Sequence, residues 1–547
     1  MPRSRKLRWL LWGSIGVLLV VAGLFSAAAI VARRIDPYVR EQAIKYLRER
    51  FDGEVEVGSI RVSVPAMSPM KLLFHGGEGV LISAVGDNIV LRHKGRRDIP
   101  PLLILKRFRA SVDLGSLFGA AKTVDQVILE GMELHLPPKG ERAKFGDKNG
   151  VTDSDAGKNS NVIIEEVIIR DALLEILPKD SKKVPLRFDL HDIRLYSAGK
   201  DVAMRYEAAL TNPKPPGEIH STGTFGPWSA EEPGDTPLTG EYLFENADLG
   251  VFKGIAGILQ STGTFQGSLA RIEAKGEARV PDFRMKSAGN PVPLVADFEV
   301  LVDGTNGNTE LKPVKAKLGS TRLTTSGVVV KHDGDTHRTI SLKASIPAGD
   351  LRDVLRLAMK GTPNMEGVIR LNTTIGIPPQ DGRVKGKLLL DGDFDITGGK
   401  FLRSTMQAKI DSFARRGMGQ PNNTEIDEVV HRMSGSFAMA NEVITFRTLG
   451  FEIPGATVNL GGNIDLGTDI LDFHGALMLD AKVSQTQTGW KRWMLKPVDP
   501  FFSKRGAGTF VHIKITGTTK APKFGPERGG TSPMEEAENA GRGSKKK

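Results

Sequence analysis

The sequence predicts a mainly β protein: antiparallel strands in a long, repetitive and elongated series, a few short helices, and one N-terminal transmembrane helix. Three observations predict it. From Gly53 onward apolar residues recur at every second position in most of the chain, the period of a strand with one wet face. Gly-containing pairs fall between such runs, at Asp303-Gly304, Asp333-Gly334, Asp381-Gly382 and Gly461-Gly462, where hairpin turns need residues tolerant of positive φ. From Trp9 to Ala32 the chain carries no charge, a run that as a helix would span a bilayer core of about 30 Å. At 547 residues the chain is too long for a single core. The absence of cysteine removes disulfides and thiolate chemistry together. A net charge of +11, spread along the chain among acids with no basic stripe, argues against nucleic acid as a partner.

The basic end, residues 1–8, holds Arg3, Arg5, Lys6 and Arg8 with no acid among them, which should keep it cytoplasmic and send the bulk across the membrane. The expected anchor at 9–32 is built on Trp9, Leu10, Leu11, Leu18, Leu19, Leu24, Phe25, Ile30 and Val31. A cleaved signal peptide is the alternative, given the small residues Ser26 to Ala29, but the run exceeds the roughly 7 to 15 apolar residues of a signal core. Residues 33–52 read as an amphipathic helix: Asp36 caps it, Pro37 takes its first position, and Val39, Ala43, Leu47 and Phe51 share a face. That face either lids the first folded domain, which is the expectation, or lies along the membrane surface.

Strands follow. Met132, Leu134 and Leu136 alternate with Glu133 and His135, and Ile340, Leu342, Ala344 and Ile346 with Ser341, Lys343 and Ser345. Near the C-terminus Ala456, Val458 and Leu460 share a face, as do Leu471, Phe473, Leu477 and Leu479, and then Val511, Ile513 and Ile515 opposite His512 and Lys514. The pentapeptide STGTF occurs at Ser221 to Phe225 and at Ser261 to Phe265, and reads as a strand in both places. A longer repeat pairs Asp248-Leu249 with Asp350-Leu351, Gly263 with Gly367, Lys275-Gly276 with Lys385-Gly386 and Phe283 with Phe394, each unit a short helix followed by a meander. One-sided strands in such numbers must close on themselves, pair face to face, or shelter an apolar ligand.

Residues 141–161, polar and rich in Gly, Asp, Asn and Ser, read as a mobile loop, and residues 525–547 as a disordered tail. Chemistry-bearing motifs are few. His332, Asp333, Asp335 and His337 in HDGDTH match no established metal-ligand spacing and read as a hairpin tip. DGTNGN, from Asp303, lacks the twelfth-position glutamate of a calcium loop. No phosphate-binding loop, GxSxG elbow or HExxH is present, and His191, His431 and His474 have no evident partners. Neither an enzymatic activity nor a metal or other cofactor is therefore expected.

VEVGSIRVSV at Val55 to Val64, QVILEGMELHL at Gln126 to Leu136 and VIIRDALLEIL at Val167 to Leu177, behind an anchor and an amphipathic helix, resemble the N-terminal part of the AsmA-like family. Residues Ser434 to Leu477 resemble that family's C-terminal domain. The resemblance implies an AsmA-like region at 53–240 and a C-terminal region at 401–524, on either side of the repeated helix-plus-meander region read at 241–400. It also implies an inner-membrane-anchored periplasmic protein of a two-membrane bacterium, related to chorein-type bridge proteins that move phospholipid. Its sheet would curl into a groove lined by apolar side chains; the family fixes no groove residue, and it is the phase of the C-terminal strands that makes Leu471, Phe473, Leu477, Leu479, Val511, Ile513 and Ile515 the candidate lining. Expected partners are phospholipid or another lipid, the inner membrane and other envelope proteins. A chaperone-like or structural factor for outer-membrane assembly, its apolar faces closed into sandwiches, remains the alternative.

Overall fold

The structure, a computed structural model, describes residues 53–63, 81–93, 96–113, 122–137, 162–178, 184–198, 202–488, 508–519 and 521–527, less positions 228, 230–232, 333, 334 and 336, with Glu41, Ile44, Lys496 and Asp499 in addition. The expected anchor with its nine apolar residues, most of the amphipathic helix, the 141–161 loop and the tail beyond Glu527 lie outside the described residues. The described chain is mainly β and falls into two compact units, the first within 1–243 and 266–269, the second within 244–265 and 270–547.

Among the described residues the strands of the first unit run in order from β1 (Gly53–Ser63) through β2 (Leu81–His93), β3 (Leu103–Asp113), β4 (Lys122–Leu136), β5 (Val162–Ile176), β6 (Leu186–Ala198) and β7 (Met204–Pro213) to β8 (Pro216–Phe225). Each pairs with the next and the pairs are antiparallel, except that β4 and β5 are parallel. The expectation of antiparallel pairing throughout is corrected there. The long connection between Leu136 and Val162 gives the chain the length to return and start again in the same direction, which a two-residue hairpin cannot do. Val55, Val57, Ile60, Ile89, Leu91, Leu102 and Leu105 form the core. Ile44, in helical conformation, packs against it, as a lid would. His135, expected on a wet face, is 6% exposed. Its Nδ1 lies 2.9 Å from the Pro101 carbonyl and its Nε2 3.5 Å from Glu175, so the burial of a polar ring is compensated.

β9 (Pro237–Asp248) leads into the second unit, which holds β10 (Ile255–Ala256), β11 (Ile258–Ser268), β12 (Arg271–Val280), β13 (Arg284–Met285), β14 (Leu294–Val302), β15 (Thr309–Leu318), β16 (Thr321–Val330), β17 (Thr339–Asp350), β18 (Met365–Ile377), β19 (Leu389–Phe401), β20 (His431–Ala440), β21 (Val443–Ile453), β22 (Ala456–Asp465), β23 (Ile470–Leu479), β24 (Thr509–Thr518) and β25 (Pro522–Pro526). From β14 to β25 every strand pairs antiparallel with its successor, while β10 and β13 form a separate two-residue ribbon. Both STGTF copies lie in strands, β8 and β11. Ser221 and Ser261 each donate a hydroxyl hydrogen bond to a glutamate carbonyl on the adjoining strand, Glu241 and Glu277.

Among the described residues the helices α1 (Leu351–Ala358), α2 (Val384–Lys387) and α3 (Ser404–Gly417) interrupt the second unit's strands. The Asp-Leu pairs of the expected repeat are equivalent: Asp248 and Asp350 both cap a helical turn, accepting from the backbone N–H two residues on. Two other pairings fail, since Gly276 lies in β12 but Gly386 in α2, and Phe283 precedes β13 but Phe394 lies within β19. The repeat that the structure reveals joins β17 to β19. Ile346 and Gly349 in one, and Ile396 and Gly399 in the other, are buried on either side of a register shift, and each strand is followed by a helix. Gly461-Gly462 is likewise no turn but the middle of β22. Gly462 stands opposite both Phe446 and Phe473, whose rings approach to 5.8 Å over a position without a side chain.

Candidate apolar ligand site

α3 fixes one end of the site. Ile410, Phe413 and Ala414 recur at helical spacing and face the sheet, where Ala414 is fully buried with Ile453, Ala456 and Leu479. The helix is tied down by Asp411, which accepts from the Val429 N–H at 3.0 Å, and it stops at Gly419 (φ 76°), whose N–H reaches the Arg416 carbonyl. Where the helix ends, the apolar side chains of the strands stay open. The result is a trough of about 590 Å³ lined by Phe413, by Met433 of β20, Leu449 and Phe451 of β21, Val458 and Leu460 of β22, Leu477 of β23, Val511, Ile513, Lys514 and Ile515 of β24, and Phe524, Gly525 and Pro526 of β25. It crosses six neighbouring strands, five spacings of about 4.8 Å, or about 24 Å end to end.

Of the seven candidate lining residues, Leu477, Val511, Ile513 and Ile515 meet in this trough. Leu479 is buried under α3, and Phe473 is buried in a group of rings with Phe394, Phe437 and Phe446 at centroid distances of 5.8 to 6.5 Å. Leu471, although on the same strand, does not line the trough. Met433, Leu449, Phe451, Phe413 and Phe524 were not singled out in the sequence. Leu449 and Phe451 are out of phase with Ile444 and Phe446 because the register shifts between Phe446 and Leu449. Phe524, 73% exposed, is the last residue before what reads as a tail.

Two histidines border the site. His431 is 2% exposed, stacked between Phe401 and Phe451 at 5.1 and 5.0 Å, and among the described residues neither ring nitrogen has a hydrogen-bond partner. Burial pushes its pKa below the ordinary histidine value. His474 corrects the reading of a histidine without partners: its Nε2 lies 3.0 Å from Asp472 and its Nδ1 2.8 Å from Glu527. The tail expectation is corrected with it, since Gly525 and Pro526 belong to β25 and Glu527 holds a fixed contact. Partial burial works against charge on His474, but the hydrogen bonds to Glu527 and Asp472, with their charges, outweigh it and raise its pKa.

The first unit carries a concavity of about 750 Å³ with the opposite chemistry, lined by Ser59, Asp87, Asn88, Lys106, Arg107, Glu130 and Asp171. Asp87 accepts from Arg107 at 2.9 Å, Arg61 at 3.1 Å and Ser59 at 3.2 Å, and the Arg107 hydrogen bond foremost holds its carboxyl below the usual carboxylate range. His332 and Asp335 form a turn, the Asp335 N–H donating to the His332 carbonyl at 3.1 Å, between the paired ends of β16 and β17. Among the described residues no group of three or more His, Asp or Glu could hold a metal ion. Compared with known proteins, the chain matches no family model, no curated protein and no solved structure.

Proposed function

We propose that the chain shelters phospholipid acyl chains in an apolar β-groove and contributes to lipid transport between inner and outer membrane, and so to outer-membrane biogenesis, as a non-enzymatic AsmA-like protein anchored in the inner membrane with its bulk in the periplasm. The observation that carries this reading is the trough across β20 to β25. Its volume falls within the roughly 300 to 1,000 Å³ of ligand sites, and among the described residues that line it Lys514 alone is charged. Its length of about 24 Å exceeds one leaflet's acyl layer of about 15 Å, so an extended lipid chain fits along it. Shielding matters because each methylene left in water costs about 0.8 kcal/mol.

Replacing Ile513 with Asp puts a carboxylate on the trough wall, where desolvating it opposes an acyl chain by several kcal/mol. The expected outcome by native mass spectrometry of the full chain is phospholipid retained by wild type and by Lys343→Asp, an exposed position of β17 away from the trough, and at least tenfold less retained by Ile513→Asp with an unchanged melting temperature. A well-folded Ile513→Asp protein with normal phospholipid would overturn the reading. Wild type without lipid would favour the structural or chaperone-like alternative.

A further inference from the structure

We infer that β25 is a hinged wall of the apolar trough, latched shut by the clamp that Asp472 and Glu527 place on His474, and that the wall loosens when the clamp loses its positive charge. The gating of ligand rests on the lipid reading above; the latch itself does not.

β25 is the weakest strand at the site. It has five residues, two of them, Pro522 and Pro526, without an N–H to give to a ladder, and among the described residues it pairs only with β24. It nonetheless supplies Phe524, Gly525 and Pro526 to the trough. It joins β24 through a tight turn in which Thr518 and Ala521 exchange backbone hydrogen bonds, next to Gly517 at φ 93°, a backbone conformation suited to a hinge. The turn itself is anchored, since the Thr519 N–H donates to the Asp469 carbonyl at 3.2 Å and its hydroxyl to the Asp469 carboxylate at 2.6 Å, so β25 pivots on a fixed end. At the far end Glu527 makes two tethers: its N–H donates to the His512 carbonyl at 3.0 Å, and its carboxylate meets His474 at 2.8 Å.

The clamp has a protonation requirement written in its geometry. Each ring nitrogen of His474 faces a carboxylate oxygen, Nδ1 toward Glu527 and Nε2 toward Asp472. Only the imidazolium has two N–H donors; the neutral ring carries one, and its other nitrogen then turns a lone pair toward a carboxylate. The charged and titratable groups on this face are Asp472 on the same strand, Glu527 beyond β25, Lys514 directly across on β24 with His512 two residues along, and Lys523 on β25, while β22 offers Gly461. Only the two carboxylates stand within hydrogen-bond distance of the ring, and they favour its charged form. The clamp is therefore complete below about pH 6.5 and is lost as pH rises through the raised folded-state value.

Hydrogen–deuterium exchange of the peptide spanning residues 521–527 in the full chain tests the latch without any lipid. Wild type and Glu527→Gln are compared at equal pH, which cancels the intrinsic exchange rate. At pH 5.5 wild type should be at least tenfold better protected than Glu527→Gln, and at pH 8.5 the two should agree within twofold. Equal protection at pH 5.5 would overturn the latch. The gate is read by the dissociation rate of a pyrene-labelled phospholipid, expected to rise at least fivefold from pH 5.5 to 8.5 in wild type and to be fast at both in Glu527→Gln. A rate indifferent to pH, with the probe bound, would sink the gate, whereas failure of wild type to bind the probe at all would sink the lipid reading.

Discussion

Where β1 to β5 cross and where β20 to β25 cross, the protein builds two concavities from the same kind of strand, one polar and one apolar. The difference lies in the backbone. In the polar case each strand slips phase at the same level: the core face passes from Val57 to Ile60, from Leu105 to Phe108 and from Leu129 to Met132, three residues apart where a strand requires two. The residues at the slip, Gly58 opposite Asn88 and Lys106 opposite Gly131, drop out of the ladder, and Asn88, Gly131 and Asp171 take left-handed conformations with φ of 54°, 63° and 50°. The slip turns Ser59, Asp87 and Arg107 into the concavity. At the apolar site the phase shift within β21 brings Leu449 and Phe451 into the trough, and rings pack over glycines such as Gly462. A period of two thus says that a strand has an apolar face, and the phase slips decide what faces inward.

The largest effect should come from forcing the slip residues out of the left-handed region. Asp171→Val places a β-branched side chain at φ 50°, which costs L-residues about 1 to 2 kcal/mol before crowding at Cβ is added. Loss of about 2 to 3 kcal/mol in urea unfolding is expected, whereas Lys514→Val, on a regular strand, should stay within about 0.5 kcal/mol. Equal losses from the two would show that Asp171 is not held by its backbone.

The two histidines beside the trough should pull stability in opposite directions with pH. His431 is neutral where it is buried, so between its lowered value and about 6.5 the unfolded chain takes up a proton that the folded chain refuses, and stability falls as pH drops through that window. The limiting slope is about 1.4 kcal/mol per pH unit. His431→Phe keeps a ring between Phe401 and Phe451 and removes two unpartnered nitrogens. It should abolish this acid loss while shifting stability at pH 8 by less than about 1.5 kcal/mol. An unchanged slope between pH 5 and 7 in that variant would assign the acid loss to other groups.

Alternation alone made the strands legible, and the faces of Leu477, Val511, Ile513 and Ile515 followed from it, because these segments run without a shift through β23 and β24. It could not reveal the parallel joining of β4 and β5, which depends on where a long connection returns. Nor did it reveal α3, whose signal, Ile410, Phe413 and Ala414, lies in a stretch otherwise rich in polar residues. The phase slips were written in the sequence as spacings of three, but a single slip resembles noise; only neighbouring strands slipping at one level give it meaning. His474 illustrates the same limit, since one of its partners is two residues away and the other more than fifty.

The smallest predicted effect is the most discriminating for the comparison between the two concavities. If the slip needs only a positive φ, Asn88→Gly should leave the first unit intact: glycine adopts that conformation without strain, but asparagine already tolerates it, so the relief is small. Against that relief stands the greater freedom glycine gives the unfolded chain, about 0.4 to 1 kcal/mol. Asn88 is exposed and no core contact is lost, so the two terms nearly cancel, and a net change within about 0.5 kcal/mol is expected in urea unfolding. A loss above about 1.5 kcal/mol would mean that the Asn88 amide, and not the backbone angle, holds the slip in place, and the polar concavity would then owe its shape to side-chain hydrogen bonding.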